Sequence, residues 1–230
     1  MNLHVIQDNL LYFMVGAWPY GPLGGAALTL ILSLSSALAS AVLGLVLGVA
    51  LSLTRGLAHQ ALVLVLGFFR AIPVLMLIFW TYFLLPMLFQ IDIPGTVTVV
   101  CALSLIGGAY LAHAVHAGIR SLPAGQWQAG LALGLTRRQL MRWIILPQAL
   151  PIMLPSFINQ WVALIKDTSL AYVIGVAELS FVATQVSNRE MIYPVEIFLF
   201  VTLVYYLFCS GLQALAALAA RRWQPGPQAR

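Results

Sequence analysis

The chain has 230 residues, of which 62% are hydrophobic and only 7% are charged, and its mean hydropathy is +0.97. This composition excludes an ordinary soluble domain and is typical of an integral membrane protein. The net charge is +5, but no basic stretch with interleaved aromatic residues is present, so we expect no nucleic-acid partner.

The first 15 residues predict a short helix on the membrane surface. Apolar residues recur every three or four positions, namely Leu3, Ile6, Leu10 and Phe13. Polar residues take the opposite side, namely Asn2, Gln7, Asp8 and Asn9. This pattern is typical of an interfacial amphipathic helix in contact with lipid. The alternative is a frayed chain end.

Five apolar runs follow, each long enough for a membrane span of roughly 20 residues. They cover about residues 24 to 54, 60 to 89, 96 to 119, 144 to 176 and 192 to 220. The arginines between and after the runs form three groups on one side: Arg55; Arg120, Arg137, Arg138 and Arg142; and Arg221, Arg222 and Arg230. Because basic loop residues stay in the cytoplasm, we expect the N-terminus outside and the C-terminus in the cytoplasm. The fold class predicted is an all-α, polytopic membrane protein with one transmembrane domain over 1–222 and a disordered tail over 223–230.

Small residues and prolines predict details of the first two runs. Gly44 and Gly48 lie four positions apart in run one, which favours close approach of another helix. Pro73 follows Arg70 in run two and predicts a kink or local unwinding there.

The loop over 121–143 predicts two short helices at an angle. Ser121 with Pro123 is typical of a helix start, and Gly134 permits a bend. Thr136 followed three residues later by Gln139 predicts a capping box that opens the second helix.

Three charged residues lie inside apolar runs, namely Arg70, Lys166 and Asp167. Ionisable groups are costly in a bilayer, so we expect them to face the bundle interior and, together with Thr168 and Ser169, to line a translocation path. Two alternatives remain open. The long side chain of Arg70 can snorkel to the membrane surface, and Lys166 and Asp167 can serve only the local helix ends.

The sequence carries few signs of catalysis. His113 and His116 share a helix face and permit metal binding in principle, but a third ligand is missing nearby. The chain has no phosphate-binding loop with its lysine, no HExxH motif and no GxSxG elbow. We therefore expect no catalytic residues and no metal or cofactor bound by this chain.

At these residues the sequence resembles the membrane subunit of polar amino acid ABC importers, the type I permease family. The resemblance covers about Gly24 to Arg222. It is carried by TLxLSxxS from Thr29, by FRAIPVLMLIFWTYFLLP from Phe68, by the stretch from Gly108 to Gln160 and by KDTSL from Lys166.

The resemblance implies a type I permease fold whose cytoplasmic helix pair couples to an ATP-binding subunit. The implied coupling residues are Gln128, Ala129, Gly130, Gly134, Thr136 and Arg137. Two departures from the family pattern stand out: Gln128-Ala129-Gly130 replaces Glu-Ala-Ala, and His113 and His116 replace Glu and Arg.

The resemblance also implies the function: a permease subunit in the bacterial inner membrane that translocates polar amino acids, most similar to glutamate/aspartate permeases. The implied partners are an ATP-binding subunit dimer that carries ATP and Mg, a second permease subunit and an extracytoplasmic binding protein. The alternatives from the residues are an ion-coupled carrier or channel and a structural membrane anchor. A carrier is disfavoured because the chain has an odd number of spans and no internal repeat.

Overall fold

A computed structural model of the chain describes the backbone of residues 4–223 and the side chains of residues 4–219. These residues form eleven α-helices joined by short turns: α1 His4–Val15, α2 Gly25–Leu53, α3 Gly56–Ala71, α4 Val74–Phe79, α5 Leu85–Phe89, α6 Gly95–Arg120, α7 Ala124–Ala132, α8 Arg137–Leu140, α9 Leu146–Asp167, α10 Leu179–Glu190 and α11 Pro194–Trp223. The predicted all-α fold class is confirmed. Trp223, the first residue of the predicted tail over 223–230, belongs to α11, and residues 224–230 lie outside the described residues.

Four helical segments are long and apolar enough to cross a membrane: Gly25–Leu53, Gly95–Arg120, Arg137–Ile174 and Pro194–Ala219. A fifth predicted run is split into Gly56–Ala71 and Val74–Phe89, which meet at 100°. The break is sharper than the predicted kink. It lies at Pro73, where the ring prevents an amide hydrogen bond and the preceding residue is held in an extended conformation.

Two π-helical turns interrupt the regular helices, over Trp80–Leu84 and Met141–Ile145. Each ends two residues before a proline, Pro86 and Pro147 respectively. Since proline removes one amide and crowds the carbonyl four residues earlier, the wider turn accommodates it without ending the helix.

The structure divides into two compact units, 1–31 with 171–230 and 32–170. In the first unit α1 packs into an apolar core with α10 and α11, through Val5 and Phe13. The predicted apolar face of α1 is partly wrong, because Asn9 is buried whereas Leu10 is 45% exposed. The reason is a polar partner: Asn9 donates to the carbonyl of Val5 and accepts a hydrogen bond from Arg189 on α10.

In the second unit α6 is the most deeply buried helix. The small residues of α2 bring it close to α6, as predicted. A Cβ added at Gly44 would lie 2.4 Å from Cβ of Leu111, and one at Gly48 would lie 2.5 Å from Cβ of Val115. Any larger residue at either position would force these two helices apart.

Candidate functional site

The loop between α6 and α8 is a tightly closed turn. Helix α7 ends in a Schellman motif: the amide of Leu135 donates to the carbonyl of Gly130 at 3.2 Å, and the amide of Gly134 donates to that of Leu131 at 3.0 Å. Gly134 has φ +78°, the left-handed conformation that this motif requires and that glycine adopts without steric cost. The bend predicted at Gly134 is confirmed.

The second helix of the loop begins as predicted. The hydroxyl of Thr136 accepts a hydrogen bond from the amide of Gln139, and the Gln139 side chain accepts one from the amide of Thr136 at 2.9 Å. This capping box satisfies two backbone donors that a helix start would otherwise leave unpaired.

The other predicted cap is wrong. Helix α7 starts after Pro123 without any side-chain cap, and the Ser121 hydroxyl instead donates to the carbonyl of Gly118 at 2.8 Å. Ser121 therefore belongs to the end of α6, because its φ and ψ are helical rather than extended.

The two helices of the loop are held together by one close contact. A Cβ added at Gly130 would lie 2.3 Å from Cδ1 of Leu140, and Leu140 is fully buried. The opposite side of the loop is open: Gln128, Ala129, Thr136 and Arg137 are exposed, and so is 79% of Leu133. The loop therefore presents an exposed surface whose tip carries the apolar side chain of Leu133, and the Gly130–Leu140 contact holds its two helices together.

The second helix does not stop at the loop. Residues Arg137–Ile174 form one continuous helical segment of 38 residues, with a π turn over Met141–Ile145 and a 3₁₀ end over Thr168–Ile174. The predicted pair of short helices is thus one short helix followed by the beginning of a long one. The reason is that the π turn carries the chain past Pro147.

The predicted path residues lie near the far end of that segment. Thr168 is fully buried and donates to the carbonyl of Ile165 at 2.7 Å. Lys166 is exposed, and Asp167 and Ser169 are half-buried. Within the described chain, the side chains of Lys166 and Asp167 make neither a hydrogen bond nor an ion pair. The alternative that Lys166 and Asp167 serve only the local helix ends is therefore not supported by any contact of their side chains among the described residues.

Arg70 lies in the last turn of α3, and its guanidinium carbon is 5.1 Å from the centre of the Tyr110 ring. Such a cation–π contact stabilises a cation while leaving its donors free. Arg70 is exposed, as is Lys166, so the expectation that all three charges face the interior of this chain is wrong. In the turn that carries Lys166 the buried positions are taken by Leu164, Ile165 and Thr168, which leaves Lys166 exposed.

The structure also shows a buried polar cluster that the sequence did not reveal. Its central residue is Glu178, which is fully buried. Its carboxylate accepts hydrogen bonds from the amides of Ser180 and Phe181 at 2.9 and 2.8 Å and from the hydroxyl of Tyr205 at 2.8 Å. Burial raises the pKa of Glu178 to about 7. The only signal in the sequence was an acidic residue directly before the α10 helix, a common N-cap.

His116 and His59 belong to another group of polar residues. Nδ1 of His116 lies 2.9 Å from the hydroxyl of Ser52, and the two imidazole rings are 6.1 Å apart. No group of three or more metal-ligating side chains occurs among the residues that the structure describes, which leaves metal binding at His113 and His116 without a third ligand.

Comparisons with known proteins place these features in a family. The chain is 35% identical over 162 residues to the glutamate/aspartate import permease protein GltK of Escherichia coli O6:H1, covering 67% of this chain and 71% of that protein. It is 38% identical over 168 residues to the glutamine transport system permease protein GlnP of Escherichia coli K12, covering 71% and 76%.

The fold is similar to that of a chain in the crystal structure of an amino acid ABC transporter with histidines, with a TM-score of 0.82 and 24% identity over 96% of this chain and 99% of that chain. The type I permease fold implied by the sequence is thereby confirmed. Residues 40–225 match the family model described as binding-protein-dependent transport system inner membrane component. The chain belongs to that family, the membrane-embedded permeases of ABC importers, as the resemblance in its sequence implied.

Proposed function

We propose that the chain is one of two permease subunits of an ATP-driven importer for polar amino acids. The second subunit is identical or homologous, an extracytoplasmic binding protein delivers the amino acid, and a dimer of ATP-binding subunits carries ATP and Mg. Two relatives named above are permeases for glutamate/aspartate and for glutamine, which supports an amino acid substrate. This chain itself has no catalytic role in the proposal.

The observation that carries the proposal is the continuous segment Arg137–Ile174. It begins at the capping box of the loop and contains Lys166 and Asp167 near its other end. At 1.5 Å per residue the distance along the helix from Arg137 to Lys166 is roughly 40 Å. One rigid element therefore links the proposed docking surface to the proposed substrate path.

The coupling step follows from that geometry. The exposed tip of the loop, at Leu133 with Gln128 and Ala129, docks into the ATP-binding subunit. When the two ATP-binding subunits close, they move the tip, and the closed turn at Gly134 transmits the movement to the long segment as a rigid body.

The proposed substrate path includes the exposed side chains of Arg70 and Lys166 and the half-buried Asp167, with Thr168 and Ser169 next to it in the chain. A second permease subunit facing this surface would enclose it. The two cations suit the side-chain carboxylate of glutamate or aspartate. Asp167 suits the α-ammonium group of any amino acid. We therefore propose glutamate and aspartate as the preferred substrates.

Uptake by the complete importer in proteoliposomes tests the substrate path. Lys166→Ala and Asp167→Ala are compared with wild type in the uptake of labelled glutamate, in competition with aspartate, glutamine, arginine and histidine. Lys166→Ala is expected to reduce the preference for acidic over neutral substrates by about tenfold, the effect of losing one charge-assisted contact. Ser156→Ala, an exposed polar position roughly 15 Å from Lys166 along α9, serves as control and should transport normally.

Unchanged transport and unchanged competition in both variants would refute the path. The energy source is tested separately by purifying the chain from its native membrane and measuring uptake with ATP or with an ion gradient. A retained ATP-binding subunit and uptake that requires ATP are expected. Uptake driven by an ion gradient without ATP would support the carrier alternative.

A further inference from the structure

A second polar site lies in the unit over 32–170, away from Lys166 and Asp167. It is a pocket of about 540 Å³ formed where α2 ends, α3 begins, α6 ends and α7 begins. We refer to it as the basic pocket. Its charged lining residues are Arg55, Arg120 and Arg137, and no acidic residue lines it; His59 and His116 also contribute to the lining.

The three guanidinium groups of the basic pocket are not neutralised within the described chain. Among the described residues an ion pair joins Arg189 to Glu190, and neither of these residues lines the pocket. No side-chain hydrogen bond to a described residue is made by Arg55, Arg120 or Arg137. Three like charges around one cavity repel one another. A bound anion would relieve this repulsion, because each guanidinium can donate two parallel hydrogen bonds to a phosphate or carboxylate.

One uncharged lining residue, Thr54, adds a further donor, whereas the donors of Ser52, His59 and His116 are already used within the chain. The hydroxyl of Thr54 is buried and has no hydrogen-bond partner in the part of the chain that the structure describes. The Ser52 hydroxyl donates to the carbonyl of Gly48 at 2.8 Å. Nδ1 of His116, 2.9 Å from Ser52, must therefore be the donor in that pair. Nδ1 of His59 lies 3.1 Å from the carbonyl of Leu51 and must likewise carry a proton.

Trp127 completes one side of the lining. Tryptophan beside arginines at the ends of apolar helices is typical of the headgroup level of a membrane.

We propose that the basic pocket binds a phosphate-bearing anion, namely the headgroup of an anionic phospholipid or a soluble phosphate compound. Basic pockets between transmembrane helices on the cytoplasmic side are known to hold anionic headgroups, and the arginine distribution predicts that this side is cytoplasmic. The bound phosphate joins Arg55 of the loop before α3 to Arg120 at the end of α6 and Arg137 at the start of α8. The anion thereby holds together the two ends of the loop between α6 and α8, independently of which amino acid is transported.

The source of the phosphate is tested by native mass spectrometry of the purified full chain with phosphatidylglycerol or with phosphatidylcholine of the same acyl chains. Wild type is expected to retain phosphatidylglycerol preferentially. The double variant Arg55→Gln/Arg120→Gln should lose about thirtyfold in affinity, since each basic residue contributes on the order of 1 kcal/mol and 1.4 kcal/mol corresponds to tenfold.

The matched control is Arg138→Gln/Arg142→Gln. It removes the same amount of charge from exposed positions in the neighbouring loop over 121–143, and neither of these positions lines the pocket. This control should retain phosphatidylglycerol as wild type does. Equal loss in both double variants would overturn the proposal, because it would mean a diffuse charge effect rather than a site.

The second arm uses inorganic phosphate. In nanodiscs of phosphatidylcholine alone, the thermal stability of wild type is measured in phosphate and in chloride at equal ionic strength. Stabilisation by phosphate that is absent from Arg55→Gln/Arg120→Gln would assign the pocket to a soluble phosphate compound. Stabilisation only by phosphatidylglycerol would assign it to lipid. Binding of neither probe to wild type would overturn the proposal, and Arg55→Lys, which keeps the charge, shows whether loss in the glutamine variants reflects misfolding.

Discussion

The loop between α6 and α8, which we propose as the coupling loop, and the Glu178 cluster are both polar, yet they are built in opposite ways. In the loop, the hydrogen bonds that define the turn join residues at most five positions apart, such as Leu135 to Gly130 and Thr136 to Gln139. In the cluster, Glu178 is bonded to Tyr205 on α11, and the neighbouring amide of Leu179 donates to Thr29 on α2. Local polar motifs leave a pattern in the sequence, whereas a cluster assembled from distant segments leaves only an isolated acidic residue.

Replacing Glu178 by alanine is the strongest way to test this contrast. The change leaves the amides of Ser180 and Phe181 and the Tyr205 hydroxyl without their acceptor in a fully buried place. Each unsatisfied buried donor costs about 1–3 kcal/mol, so the free energy of unfolding should fall by several kcal/mol. The measurement is thermal or denaturant-induced unfolding of the purified chain in detergent.

Glu190→Ala is the control at the other end of the same helix. Glu190 is 3.5 Å from Arg189, whose side chain is 63% exposed, and exposed ion pairs contribute about 0–1 kcal/mol. A loss in Glu178→Ala no larger than in Glu190→Ala would show that the cluster does not stabilise the fold.

The second prediction concerns pH. Burial raises the pKa of Glu178 from its ordinary value of 4.5 to about 7. Because the folded chain binds this proton more tightly than the unfolded chain, stability should fall as pH rises from about 4.5 to about 7 and then level off. The loss amounts to about 3 kcal/mol at 1.36 kcal/mol per pKa unit.

The free energy of unfolding of wild type and of Glu178→Gln is measured between pH 5 and pH 8, which gives the change of stability with pH in the range of the raised pKa. The variant cannot ionise at this position, so its stability should change less with pH over the same interval. An equal slope in both proteins would assign the pH dependence to another group.

The same contrast explains what could be predicted. Helical spans, the close approach at Gly44 and Gly48, and the capping box at Thr136 follow from composition and short spacing, and all were found. The exposure of Arg70 and Lys166 could not be predicted from the sequence. The cost of a charge in lipid indicates that a charged side chain avoids lipid, but it does not say on which surface of the chain the side chain lies. The buried Asn9 is hydrogen-bonded by Arg189, a residue 180 positions away. The spacing of apolar residues within α1 cannot predict a partner in another helix.

Gly134→Val gives the third prediction, on coupling rather than on the buried cluster. At φ +78° a β-branched residue is strained by about 1–3 kcal/mol, so the Schellman motif should open while the spans remain inserted. ATP-dependent uptake should be abolished, because the tip then no longer moves rigidly with Arg137–Ile174.

Gly56→Val is the matched control for Gly134→Val. Gly56 also has a positive φ, +63°, and no heavy atom within 4 Å of an added Cβ, so the backbone strain is comparable but lies outside the coupling loop. Uptake should be retained in Gly56→Val. Equal loss of uptake in both variants would mean that strain, and not the position of Gly134, causes the defect.

The smallest effect should come from the two predicted caps of the loop, of which only one is real. Thr136→Ala removes the acceptor for the Gln139 amide and should lower stability by about 1 kcal/mol, the usual contribution of an N-cap. Ser121→Ala should have almost no effect on the start of α7, because the Ser121 hydroxyl bonds within the end of α6. Amide hydrogen exchange at residues 137–140 reports the first change, and exchange at residues 124–127 reports the second.

Faster exchange at 124–127 in Ser121→Ala would mean that this serine caps α7 after all. Unchanged exchange at 137–140 in Thr136→Ala would mean that the continuous segment, and not its cap, holds the start of α8 in place.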